Sequence, residues 1–201
     1  MLHTQTSEFQ AELPRTTIDA IEVDEGELLA MDYAPETPYL ATLGIFTCKA
    51  IAIHSPETGQ GILAHLSLTP YPEVSLTHIV ERYQGDIEVS NVSILQSAAA
   101  GAKIGRGWPS IEMIGEFFVG QGARSVSRDL DRTSVDIFGL RGMALHLLTG
   151  EVTDLNYQSP YVFHQANKKP ERIKITPEGD ADLAVWSLAN YHDATRSTVV
   201  R

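Results

Sequence analysis

The stretch from residue 48 to residue 68 leaves this chain the fewest options. Residues 48–54 alternate Ile51 and Ile53 with Cys48, Ala50 and Ala52. That period of two belongs to a strand, not a helix. Residues 62–68 alternate as well, with Ile62, Ala64, Leu66 and Leu68 on one face and Leu63, His65 and Ser67 on the other. Between them, Ser55-Pro56-Glu57-Thr58-Gly59-Gln60-Gly61 is dense in turn formers. Two alternating runs joined by such a segment read as an antiparallel hairpin.

A four-residue loop over 55–58 predicts a register: His54 opposite Gly59, Ala52 opposite Gly61, Ala50 opposite Leu63 and Cys48 opposite His65. The isoleucines and leucines of both arms then share one face. A slip of one residue would reverse every side chain, so this agreement carries weight. Directly opposed residues hold their Cβ atoms about 4.5–5.5 Å apart. The only cysteine of the chain is therefore expected beside an imidazole. A thiol nucleophile and its histidine base require that arrangement.

The residues around this hairpin carry a resemblance. Thr42, Leu43-Gly44, Thr47-Cys48, Gly61 and Ala64-His65 resemble the signature of the chemoreceptor glutamine deamidases, the CheD family. The resemblance implies a Cys48–His65–Thr42 catalytic triad that hydrolyses glutamine side chains on other proteins. It covers about residues 38–157. Within that span, residues 99–109, 120–126, 135–142 and the Thr149-Gly150 turn are similar to family segments, more loosely. Some bacterial toxins that deamidate host proteins have similar sites. The implied partner is a protein substrate, chemoreceptor-like or host. The implied placement is cytoplasmic, or that of an exported effector without a classical signal peptide.

The chemistry of such a site can be written from the residues. Cys48 attacks the carboxamide carbon, ammonia leaves, and water releases the thioester as glutamate. His65 takes the thiol proton, passes it to the leaving amine and later activates water. Thr42 orients the imidazole. Backbone amides near Thr47 and Cys48, in the turn after Gly44, are candidate oxyanion donors. This scheme calls for no metal and no cofactor. Taken singly, each residue has a plainer reading: a lone cysteine is a small buried hydrophobe, and a lone histidine is a satisfied core residue. Two alternatives to the deamidase stay open. One is a non-catalytic binding module, for which Phe46, Phe138 and the unmatched tail speak. The other is a different cysteine-dependent amidohydrolase.

Composition excludes several classes. A net charge of −11 speaks against a nucleic-acid binder, since phosphate contacts need clustered Lys and Arg, and Lys168-Lys169 is the nearest approach to a basic run. No apolar run approaches the roughly 20 residues of a membrane-spanning helix. The start, MLHTQTSEFQAELPR, lacks the basic and apolar regions of a secretory signal. One cysteine permits no intramolecular disulfide and suits a reducing compartment. Residues 101–107 do not form a phosphate-binding loop, because they lack the Gly-Lys-Ser/Thr ending and the G-x-G-x-x-G spacing. The remaining histidines show no metal-ligand spacing.

The rest of the chain predicts an α/β fold: a mixed, mostly antiparallel sheet built from hairpins, with two to four helices packed on it. Residues 1–20 read as a loose arm, residues 21–23 as the start of a first strand, Glu25-Gly26 as a turn and residues 28–33 as a second apolar run; Pro35 and Pro38 break regular structure before Tyr39-Leu40-Ala41-Thr42. Residues 75–84 carry Leu76, Ile79, Val80 and Tyr83 at helical spacing, with His78 off that face. Residues 87–98 read as a strand, 110–118 as a short helix, and 126–133 as a second one. Residues 143–148 and 151–155, around Thr149-Gly150, read as another hairpin. Residues 161–163 and 173–175 read as strands and 181–191 as a helix. The expected division is an arm with the first strands over 1–35, a deamidase-like domain over 36–157, and an extension over 158–201.

Overall fold

The computed structural model describes residues 16–45, 48–66, 72–83, 85–96, 110–130, 142–155, 161–165 and 173–174. Eleven strands and two α-helices lie among the described residues: β1 (Thr16–Glu22), β2 (Glu27–Asp32), β3 (Tyr39–Thr42), β4 (Lys49–His54), β5 (Gln60–Leu66), α1 (Pro72–Arg82), β6 (Asn91–Gln96), α2 (Ile111–Gly120), β7 (Ser125–Leu130), β8 (Gly142–His146), β9 (Val152–Leu155), β10 (Tyr161–Gln165) and β11 (Ile173–Lys174). They form two sheets, in the orders β10-β1-β3-β8-β9 and β11-β2-β5-β4-β6-β7. The α/β class is as expected, and most pairings are antiparallel. β1 pairs in parallel with both β10 and β3, and β6 with β7.

The hairpin sits in the middle of the larger sheet, and both of its faces are buried. Ile51, Ile53, Ile62, Ala64 and Leu66 face the helices, where they meet Leu76, Ile79, Ile114 and Phe118. Ala50, Ala52 and Leu63 face the smaller sheet, where they meet Ile21, Leu40, Met143, Leu145 and Leu147. Burying a side chain such as Ile51 or Leu63 contributes about 1.5–3 kcal/mol. α2 presents Ile111, Ile114 and Phe118 on one stripe, and its start is fixed by the Ser110 hydroxyl accepting the Met113 N–H at 3.1 Å.

Five expectations are corrected. The hairpin register is shifted by two residues: His65 lies opposite Ala50 and His54 opposite Gly61, so Cys48 does not face His65 directly. The four-residue loop is 56–59, not 55–58. Ser55 N–H donates to Gln60 O, Gly59 N–H donates to Ser55 O, and Gly59 takes φ +69°, a value glycine adopts without strain. A shift of two keeps every side chain on its predicted face. Residues 16–20 are part of β1 rather than an arm, with Ile18 and Ala20 buried. Residues 125–130 form β7, not a helix; they take the edge position beside β6. The strand read from residue 87 begins at Asn91, after a 3₁₀ turn over Ile87–Val89. The helix read over 181–191, the segment 131–141 and the small-residue stretch 99–107 lie outside the described residues. β1 lies between β10 and β3 in the smaller sheet, and β2 between β11 and β5 in the larger one.

Candidate active site

Thr42, Cys48 and His65 converge at one end of the space between the two sheets. Thr42 is the last residue of β3 and shares its inward face with Leu40. His65 is on β5 and shares its face with Leu63. Cys48 occupies the bend that leads into β4. All three are buried, at 0%, 2% and 5% exposure for Thr42, His65 and Cys48. Cys48 and His65 are diagonal neighbours across the hairpin instead of a direct pair. Diagonal Cβ atoms lie about 7–8 Å apart, still within reach of a long side chain. The Cys48 sulfur, a ring nitrogen of His65 and a carboxylate oxygen of Glu25 indeed all lie within 4.8 Å of one another.

The hydrogen bonds fix the imidazole's tautomer. The Thr42 hydroxyl donates its single hydrogen to the Val23 carbonyl at 2.8 Å. Its oxygen also lies 2.7 Å from His65 Nδ1. With the hydroxyl hydrogen already used, Nδ1 must be the donor in that contact. Nε2 is then the ring's lone-pair nitrogen, and it is buried with no hydrogen-bond partner. Burial pushes the His65 pKa below the ordinary histidine value, while Glu25 and Asp24 act in the opposite direction. The ring is thus neutral at pH 7, held by one nitrogen and able to accept a proton at the other.

Glu25 is the site residue that sequence reasoning read only as part of a turn. Its carboxylate accepts a hydrogen bond from the Cys48 thiol at 3.0 Å. The β1–β2 turn is docked onto the hairpin by Gly26, whose N–H donates to the His65 carbonyl at 2.8 Å and whose φ is +78°. A side chain at position 26 would be strained there. Glu25 is exposed, whereas Cys48 beside it is only 5% exposed. An acidic residue followed by a turn glycine was the only sign of this in the sequence.

Of the backbone-support residues, Gly44 has φ +76° just after β3, consistent with a sharp exit from the strand. Thr47, and Phe46 before it, lie outside the described residues. Lys49, next after Cys48, points to the opposite face of β4 and is 4% exposed; burial lowers its pKa and the neighbouring Cys48 works against that. His54 lies at the hairpin's other end. It holds the Leu147 carbonyl at 2.8 Å through Nε2 and takes no part in the cluster. His78 is exposed on α1, as expected. No described helix is long and apolar enough to cross a membrane.

No family model and no curated protein sequence matches the chain. Among solved structures, a Neisseria meningitidis protein described as DUF152 matches with a TM-score of 0.37 and 11% identity, over 57% of this chain and 63% of that one. The chain therefore spans less than two thirds of that protein's length, and a likeness this slight bears on neither activity nor site.

Proposed function

We propose that this protein is a cysteine-dependent amide hydrolase whose substrate is a glutamine side chain on another protein. One observation carries the reading: Thr42 holds His65 by Nδ1, leaving Nε2 as the proton acceptor of a ring that has a nitrogen within 4.8 Å of the Cys48 sulfur. The spacing of Thr42, Cys48 and His65 supports the glutamine substrate through its similarity to the deamidases. The exposed approach past Glu25 suits a side chain offered by a protein.

In the resting site the thiol is held by Glu25. Substrate entering past that carboxylate frees the sulfur to turn toward Nε2, a rotation about one side-chain torsion. Transfer of the thiol proton to Nε2 gives a thiolate next to an imidazolium, which attacks the carboxamide carbon. The imidazolium proton goes to the departing nitrogen, so ammonia leaves neutral and a thioester remains. A water molecule, deprotonated by the same nitrogen, cleaves the thioester; glutamate and the thiol result. Thr42 keeps the ring in one tautomer throughout, the task of a triad's third member.

The test is incubation with a panel of glutamine-bearing proteins, chemoreceptor signalling domains included. The expected outcome is ammonia release with a gain of roughly 1 Da at glutamine, as amide becomes acid, and its loss in Cys48→Ser and His65→Ala. Full activity in Cys48→Ser would overturn the proposal. A second reading, a binding module, is favoured by the hydrogen bond that ties the thiol to the Glu25 carboxylate. Alkylation of Cys48 by iodoacetamide no faster than that of a model thiol supports this second reading.

A further inference from the structure

We propose that Glu25, Cys48 and His65 form a three-ligand site for a divalent metal ion of the zinc class. The donors are one carboxylate oxygen, one sulfur and one imidazole nitrogen, all within 4.8 Å of one another. Zinc takes such donors at about 2.0–2.3 Å, which sets tetrahedral donor atoms about 3.3–3.8 Å apart. The thiol and carboxylate are already 3.0 Å apart, so small side-chain movements close the set. A thiolate–imidazole–carboxylate combination selects borderline-soft ions over calcium or magnesium, which take oxygen donors.

A second observation points to a ligand here. His65 Nε2 is buried and has no hydrogen-bond partner, on a residue that is 2% exposed. Leaving such an atom unpaired is costly, on the order of 1–3 kcal/mol. The opposite nitrogen is held by Thr42, whose hydroxyl is held in turn by the Val23 carbonyl. Metal-binding histidines are oriented through their second nitrogen in the same way. The ligands come from three segments: the β1–β2 turn, the bend before β4, and β5. Glu25 is exposed, so one ligand of the set lies at the protein surface, as an entry path requires.

Binding follows a simple proton balance. The ion forms bonds to sulfur, Nε2 and a carboxylate oxygen. The Cys48 thiol loses its proton to solvent; His65 loses none, because Nε2 carries no hydrogen. One proton therefore leaves per ion. A bound ion occupies both the nucleophile and the base, so hydrolysis stops until it is removed. That consequence rests on the hydrolase proposal; the binding itself does not.

The probe is cobalt(II), then zinc(II), added to the metal-free full chain. A thiolate-to-cobalt charge-transfer band should saturate at one ion per chain, with one proton released, and zinc should abolish it. Cys48→Ala should remove the band. Glu25→Gln, at an exposed position that the fold tolerates, should weaken cobalt binding about tenfold or more. His78→Ala should change nothing. No charge-transfer band in the wild type, or unchanged binding in Glu25→Gln and Cys48→Ala with native circular dichroism, overturns the site. Ammonia release by metal-free protein reports on the hydrolase separately. Activity without cobalt binding removes only the metal site, and binding without activity removes only the hydrolase.

Discussion

At the scale of single residues the site rests on one hydroxyl. Thr42 uses its hydrogen on Val23 and its oxygen on His65, so Thr42→Val orphans a buried N–H and a carbonyl together. A loss of about 1–3 kcal/mol in urea unfolding is expected, along with slower alkylation of Cys48. Acid should act on the same ring. His65 and His54 both have folded pKa values pulled below 6.5 by burial. Between the folded value and 6.5 the unfolded chain binds more protons, so stability rises with pH there. Their contribution is complete above pH 6.5 and is lost as pH falls through the folded values. Urea midpoints should therefore drop between about pH 7.5 and about pH 5.5, and the slope should flatten in His65→Gln. An unchanged slope in that variant refutes the assignment. Thr42, Cys48 and His65 were legible because their spacing is local. Glu25 was not, because a turn distant in sequence folds back to reach the sulfur.

At the scale of elements the hairpin shows what alternation can and cannot encode. The inward and outward faces of β4 and β5 follow from the period of two, whereas the register depends on which residue closes the loop. That residue is Gly59, at φ +69° with open space around it. Gly59→Ala should cost about 1–2 kcal/mol from backbone strain alone. Gly61→Ala should fail differently. Its Cβ would meet Leu147 Cδ2 at 2.6 Å and Leu145 Cδ2 at 3.0 Å from the opposing sheet, an overpacking cost of about 1–3 kcal/mol. Thermal or urea unfolding measures both. Neither should change the rate of Cys48 alkylation, because both glycines lie at the hairpin end away from the site. β7 escaped the sequence reading because Ser125–Leu130 alternates too weakly to be told from the start of a helix. Its identity comes from the parallel pairing with β6.

At the scale of the whole molecule, the separation of the two sheets sets the Thr42–His65 contact, because the two residues belong to different sheets. Both faces of the hairpin are apolar, which already implied a layer on each side. The membership of the second layer was hidden, because β1 joins β10 and β3 through pairings that no local pattern announces. Ala50 and Ala52 keep the hairpin's inward face shallow, and Ala52 lies beside Leu63 at 1% exposure. Ala52→Leu adds volume where the packing has no room, at about 1–3 kcal/mol. Ile53→Val, on the helix-facing side of the same strand, costs about 0.5–1.5 kcal/mol and leaves the inter-sheet space alone. The His65 Nδ1 proton, shielded by burial and held by Thr42, should give a slowly exchanging imidazole resonance. That signal should persist in wild type and in Ile53→Val and vanish in Ala52→Leu and Thr42→Val. If the wedge at Ala52 destabilises the protein while the resonance stays in place, sheet spacing does not govern the site, and the Thr42–His65 contact must be held by the β3 end alone.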